Sequence, residues 1–476
     1  MTIQLQRAFR ICALVFPLCT LFSVAHADVV ISSGATTNMN CVSGVCTPTS
    51  QNAVLNVGDL TTMLANGNVS IEASGEPVDI DIQAAFSWSS ASLLTLDSYH
   101  SVNVGQPVAA TGNGGLSIGT NDGGSGGWLT FAPNANVEFS NLSSSLSING
   151  ASYTLVGDIH TLASDIAANA SGNYALANDY DAKPDGTYSA APVSTQFEGN
   201  FQGLGNVISN LSISGGINKG DLGDVGLFYQ AEAGSVISNV VITGASIETK
   251  QGAAGILVSS TLGTLFGDHA SGAVSVGEDS DAGGLAGVAN TVIASSSSAS
   301  VSAKDGSYAG GLVTGAGTVS ECYASGAVTL KKVKEGGDAG GLVAVAENSS
   351  ISNSYATGKV EETGSAAGVG GLIGTTNNEN PVITASYSIG KVSGALTYKG
   401  GFIGLFNSAV ASDDYWDTQT SGTSNASGND RTIPGVTGVT TSQLKSGLAS
   451  GFDPTIWAQS KAINKGFPYL IANPPQ

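Results

Sequence analysis

Apolar residues return down the middle of this chain beside glycines, at a nearly fixed interval. The glycines are Gly226, Gly255, Gly284, Gly311, Gly341, Gly371 and Gly401, followed in turn by Leu227, Ile256, Leu285, Leu312, Leu342, Leu372 and Phe402. The steps between them are 29, 29, 27, 30, 30 and 30 residues. A period of this size predicts a solenoid, because one unit cannot bury its apolar side alone and stacks on its neighbour. A second run is as regular, at Val319–Val328, Ile351–Val360 and Ile383–Val392, with looser copies at Val207–Leu211 and Val236–Val240. Each unit then offers three strand seeds: the Gly-Leu pair, the Ile-x-Asn-x-Tyr run and the Gly-x-Val run. Three strands and three turns per unit predict an all-β, right-handed parallel β-helix over residues 201–433. Seven coils stacked at about 4.8 Å give a rod of about 34 Å.

Upstream, short apolar alternations occur at Val69–Ile71, Val78–Ile82, Leu94–Leu96, Val102–Val104, Leu116–Ile118, Leu129–Phe131, Val137–Phe139 and Leu146–Ile148. They read as half-buried strands, so residues 28–150 are expected to form earlier, less regular coils. Asp158–Ala170 differs. Ile159, Leu162, Ala163 and Ile166 keep helical spacing, with Asp158 at the start and Gly172 beyond the end. This predicts one short helix inside a connection spanning 151–200. Phe452, Trp457, Phe467 and Tyr469 make 434–476 aromatic, and this segment is expected to cap the open end of the solenoid.

Particular positions carry structural expectations. The recurring glycines imply either a bend with positive φ or coils too close for a Cβ. Asn210, Asn239 and Asn353 are expected to stack along one corner, their amides bonding backbone between coils. Tyr323, Tyr355 and Tyr387 recur at 32-residue steps and are expected to stack. A core ladder is the favoured reading, and an outer platform for sugar rings is the alternative.

Composition fits stacked strands. Only 11% of the 476 residues are charged, and there are 65 Gly. With 13 Pro, the chain stays below the Pro-plus-Gly level that signals disorder. Residues 1–27 read as a secretory signal: Arg7 and Arg10, then apolar Ile11–Ala25, then Ala25-His26-Ala27 as the cleavage site. Cleavage would take the formal charge from −20 to −22 by removing Arg7 and Arg10 with no acid. Such acidity argues against nucleic acid as a partner. Three cysteines would remain. In an exported chain, Cys41 and Cys46 suit a small disulfide loop. Cys322 stands where other units place Ser354 or Ser386 and reads as a small buried side chain.

Chemistry is sparse. His100, His160 and His269 lie far apart and lack metal-ligand spacing. β-Helices also host polysaccharide hydrolases and lyases, which need clustered acids or a calcium ion. Three acidic clusters exist: Asp79 with Asp81; Glu278, Asp279 and Asp281; and Asp413, Asp414 and Asp417. Each reads first as an exposed face or turn. The second is the weak candidate for calcium, the one cofactor left open. Lys331, Lys332 and Lys334 form the one local basic concentration, which reads as a loop between coils. No catalytic residues are assigned, and no enzymatic activity is expected.

The Gly-Gly-Leu-x-Gly pattern at Gly283–Gly287 and Gly370–Gly374, with Asn-Ser-Tyr-Ala-Thr-Gly at Asn353–Gly358, resembles the GLUG motif. That motif recurs in bacterial surface adhesins of the filamentous-haemagglutinin type and in some surface peptidases. Tyr174–Asn178 and Phe197–Gly205 look like the segment that opens such arrays, and Tyr415–Thr418 with Ser421-Gly422 like the one that closes them. The resemblance implies a secreted or surface protein of a diderm bacterium. It would bind surface glycans or proteins of a host or the environment by multivalent contact along a rigid face. The peptidases' HExxH is absent from this sequence. Residues 434–476 lack the strand series of a membrane barrel, so export to the surface would call for a separate outer-membrane secretion partner. The rival readings are a polysaccharide-active β-helix enzyme and a self-associating envelope or matrix component.

Overall fold

The computed structural model describes residues 28–73, 79–215, 223–331, 336–394, 396–430 and 432–475, with backbone alone for 365–367 and 396–397. The expected signal segment 1–27, Val78, Lys332 and Lys334 lie outside the described residues. The chain is an all-β parallel solenoid of about 13 turns, not a barrel, with three short helices.

A coil of the regular block shows the plan. Asp338–Gly340 forms the first side, Val343–Ala346 and Ser350–Ser352 the second, and Tyr355–Ala356 and Val360–Thr363 the third. The three strand seeds thus become five short strands on three sides. Each pairs in parallel with its equivalent one coil on, as in Ile351↔Ile383 and Val360↔Val392. Alternate residues point inward, so Leu342, Val343, Ile351, Ala356 and Val360 fill one interior with their counterparts from other coils. Burying one such leucine or isoleucine fully contributes about 1.5–3 kcal/mol, which only stacking makes available.

The glycines answer the second of the two expectations. Gly341 has no positive φ. A Cβ added there would fall far inside contact of the Gly371 carbonyl oxygen, and one at Gly371 would meet the Gly401 carbonyl oxygen in the same way. Backbone stacks directly on backbone along this edge, which excludes any side chain.

Positive φ is used at another corner, between the second and third sides. There Asn239, Gly267, Ala294, Glu321, Asn353, Ala385 and Asp413 all turn left-handed. Asn suits this turn because its side chain tolerates the αL region. The expected asparagine ladder does not form. Asn239 donates to the Leu129 carbonyl (3.1 Å), and Asn353 accepts from the Trp457 indole (3.1 Å). Asn210 stands elsewhere, because Val207–Ser209 pairs with Val241–Thr243 on the third side. Its likeness to Val236–Asn239 is one of sequence, not of place.

The ladder that does form is one residue on, inside the solenoid. The amide of Val240 donates to Asp268 Oδ1 (2.9 Å), and that of Asp268 to Ser295 Oγ (3.0 Å). The amide of Cys322 donates to Ser354 Oγ (3.1 Å), Ser354 to Ser386 Oγ (3.1 Å), and Ser386 to Asp414 Oδ1 (2.9 Å). Each tight corner leaves an N–H facing the core, and the next coil supplies its acceptor. Cys322 belongs to this row. It is fully buried, and burial pushes its thiol up to about 12, which suits an inert filler.

Among the described residues, the solenoid interior holds two hydrophobic cores, one drawing mainly on residues 29–155 and the other on 156–433. They meet across a shared sheet. Leu146–Ile148 turns at Asn149 and Gly150, both at positive φ, into the antiparallel Ala151–Val156. The sheet then continues in parallel through Asn173–Leu176 and Asn200–Gln202. Leu155 and Ala175 face the first core, while Val156 and Leu176 face the second. Strand direction and buried face reverse together, so the winding sense is preserved. Trp128 stacks on Phe266 (4.1 Å between centroids) beside this junction.

Helix α2 spans Ile159–Ala168, with Asp158 as N-cap accepting from the Thr161 amide, and buries Ile159, Leu162 and Ile166. The expectation of a single helix is corrected by two more. Helix α1, Val57–Asn66, is capped by Asn56 and buries Leu60 and Leu64 against the first core. Helix α3, Thr441–Leu444, carries a Thr440–Gln443 capping box.

Cys41 and Cys46 form a disulfide across the hairpin Met39–Val42/Val45–Pro48, where they are direct strand partners. The loop is short, so replacing both by serine is expected to cost only about 2 kcal/mol. Thermal melts with and without reductant should show the same small loss.

The expected C-terminal cap is present only in part: Val436–Val439 pairs in parallel with Asp414–Asp417 on the last coil. Trp416, Ala426 and Ile433 close the second core there. Residues 440–475 instead fold back as a strap along the outer third side. Their Leu444, Phe452, Trp457, Phe467 and Leu470 pack on Tyr323, Tyr355 and Tyr387 as a separate cluster.

Candidate functional site

The acidic clusters resolve into different roles. Asp79 Oδ1 meets His100 Nδ1 (2.8 Å) and accepts from the Ser101 amide (2.7 Å). Asp81 accepts from Asn103 (2.9 Å), which in turn accepts from Thr130 (2.7 Å). Both lie on an outer face, as expected, but within a hydrogen-bonded row.

The third cluster is the exposed turn expected only at Asp413, which is exposed and at positive φ. Asp414 is fully buried at the end of the serine ladder, and burial pushes its carboxyl up to about 8. Asp417 is fully buried too. It accepts from the amides of Gln419 (2.9 Å) and Thr420 (3.1 Å) and from the Thr441 hydroxyl (2.6 Å), tying the strap's first turn to the last coil.

The calcium candidates are split. Glu278 and Asp279 occupy a corner, where Asp279 turns left-handed, while Asp281 lies in the strand Asp281–Gly283. Among the described residues, no group of three or more His, Cys, Asp or Glu side chains is placed to hold a metal ion. His160 is on the surface, 3.8 Å from Asp185. Lys331 ends a third-side strand and is exposed.

Two surfaces have the makings of a binding site. The first is the outer face of the first side. Asp281, Tyr308, Asp338, Gly368 and Tyr398 are successive partners there, coil on coil. Tyr308 is 39% exposed and Tyr398 47%. They stand three strand steps apart, about 14 Å. Between them Asp338 accepts from the Gly368 amide (2.8 Å), and a side chain at Gly368 would collide with that carboxylate. Burial pushes Asp338 up to about 6. The result is a notched stripe with an aromatic ring at each end and a carboxylate in the notch. This column was not singled out from the sequence. The signal was available: Asp281, Tyr308 and Asp338 each stand two residues before their Gly-Gly pair.

The second surface is the third side beneath the strap. Tyr323, Tyr355 and Tyr387 stack at 5.0 Å with interplanar angles of 10° and 4°. They belong neither to the solenoid core nor to an open platform, since the strap covers them. The column continues through Ser296 to His269, whose Nδ1 lies 2.8 Å from Ser296 Oγ. Burial lowers His269 to about 4, so its ring is neutral at pH 7. A groove of about 790 Å³ runs between this face and the strap.

Comparison with known proteins agrees with the repeat pattern. Residues 335–361 match the GLUG motif. No curated protein matches the chain. Among solved structures, the chain is similar to a "putative immunoglobulin A1 protease from Bacteroides ovatus", with 17% identity and a TM-score of 0.40. The match covers 68% of this chain and 92% of that one. Likeness at that level assigns no activity. The chain is a parallel β-helix that carries the GLUG motif.

Proposed function

We propose that this is an adhesin-like attachment protein of the filamentous-haemagglutinin type its repeats resemble, exported to the surface of a diderm bacterium or beyond. It works without a catalytic step, by holding glycans or proteins of a host or the environment against a rigid β-helix face. The observation that carries this reading is the stripe of Tyr308, Asp338 and Tyr398. Exposed rings on a stiff, in-register sheet lose little side-chain freedom on binding. A carboxylate between them is placed to accept hydrogen bonds from ligand hydroxyls or amides.

The test is binding of the chain from Asp28 onward to arrays of glycans and of surface and matrix proteins, with and without calcium. Saturable binding to a defined subset is expected. Tyr308→Ala with Tyr398→Ala should weaken it at least tenfold without changing the melting temperature. Absence of binding by folded protein, together with concentration-dependent filament growth, would replace this reading by self-association.

A further inference from the structure

The Tyr308–Tyr398 stripe is longer and more acidic than its two rings alone show. Ala253 pairs with Asp281, and the Ala253 amide donates to Asp224 Oδ1 (2.7 Å) one coil earlier still. The column therefore carries three carboxylates and two exposed rings, with Ala253 and Gly368 as gaps, over about 29 Å. Asp281 and Asp338 stand on the rungs either side of Tyr308, and so about 10 Å apart. Burial, then Asp338 and Asp281, push the Tyr308 phenol up.

No positive group answers these carboxylates. Among the described residues, the ion pairs are His100–Asp79, His160–Asp185 and Lys359–Glu361, none of them on this side. Lys399 follows Tyr398 in the chain, but its ammonium donates to the Gly394 carbonyl (2.9 Å). Burial raises the carboxyls of Asp281 and Asp338, which makes a bound cation more favourable than bare charge. An ammonium placed here gains twice, from a carboxylate and from the face of the adjoining ring. An acidic ligand is repelled. Amines fixed on a sugar frame suit the stripe better than lysine side chains, which lose far more rotamer freedom when held. Sugar rings also pack on aromatic faces such as those of Tyr308 and Tyr398.

We propose that the stripe selects an amino-sugar chain, with ammonium groups beside Asp281 and Asp338 and sugar rings on Tyr308 and Tyr398. This rests on the attachment reading above and supplies the class of its ligand.

The test is calorimetric titration of the chain from Asp28 onward with tetraglucosamine and with its fully N-acetylated form. Moderate salt screens the diffuse attraction of an acidic chain, and the pH is one at which the amines are charged. The amino tetramer is expected to saturate, and acetylation to weaken binding at least tenfold. Asp338→Asn keeps an acceptor for the Gly368 amide and should cost about tenfold. Asp122→Asn makes the same charge change at an exposed residue of the first coils and should titrate like the parent. Equal binding of the two sugars, or equal losses in Asp338→Asn and Asp122→Asn, would overturn the amino-sugar assignment and leave attachment standing. Binding of neither sugar would overturn it as well, and arrays that also stayed blank would take the attachment reading with it.

Discussion

Gly341→Ala is expected to destabilise the second solenoid by at least about 3 kcal/mol, the upper end of ordinary overpacking. The added methyl would strike the Gly371 carbonyl oxygen and crowd Ala356 Cβ at 2.9 Å. No rotamer relieves this, because the obstacle is backbone held in a ladder: the Gly341 amide donates to the Gly370 carbonyl (3.2 Å). Separating the coils to make room would stretch the neighbouring pairs Val343↔Ile373 and Ile351↔Ile383. Gly315→Ala is the control, since its nearest neighbour would be the Val345 carbonyl oxygen at an ordinary 3.5 Å. It should be neutral or slightly stabilising through the unfolded chain. Chemical denaturation of the two variants measures the contrast, and equal midpoints would refute the close-stacking account of the glycines.

Asp414 is expected to make stability fall as pH rises from about 4 to about 8, against an opposing contribution from His269, lowered from 6.5 to about 4. Its carboxyl sits at about 8 when folded against an ordinary 3.8. Between those values the folded state binds a proton that the unfolded state releases. The contribution is therefore complete below pH 4 and is lost as pH rises through 8. Four units correspond to about 5 kcal/mol. Burial shifts Asp268 the same way, and Asp338 does so over the narrower window up to about 6. Asp414→Asn keeps an acceptor for the Ser386 amide and removes the charge. It should raise the melting temperature at pH 8, match the parent near pH 4, and flatten the curve between. Parallel curves for parent and variant from pH 4 to pH 9 would show that Asp414 ionises without cost.

The period of the glycines made the β-helix legible before any coordinates, because the spacing reflects one turn of chain and each Leu or Ile after the glycine must face inward. The serine ladder was half-visible: Cys322, Ser354, Ser386 and Asp414 each precede a tyrosine. Read as a column rather than residue by residue, they would have placed Asp414 inside instead of in an exposed turn. Helix α1 was missed although Asn56, Asp59, Leu60 and Leu64 give a cap and an i, i+4 pair, because flanking alternation suggested more strand. The shared sheet and the strap had no periodic signal. Both depend on pairing between distant segments, such as Asn473 donating to the Ser295 and Glu321 carbonyls (3.0 Å each). The candidate sites were least legible of all. The stacking of Tyr323, Tyr355 and Tyr387 was expected, but that the strap covers them while Tyr308 and Tyr398 stay exposed follows from tertiary placement alone.

The strap also changes how the rod can come apart. In a simple solenoid each coil answers only to its neighbours, so the end frays first and unfolding spreads inward one turn at a time. Here the chain that leaves the last coil returns past Tyr415, Tyr387, Tyr355 and Tyr323 to the backbone of Ser295. The terminal coil cannot peel away while its own tail is fastened four turns back. These coils are bound into one cooperative block, with its weakest boundary shifted from the tip of the rod toward the coils the strap does not reach.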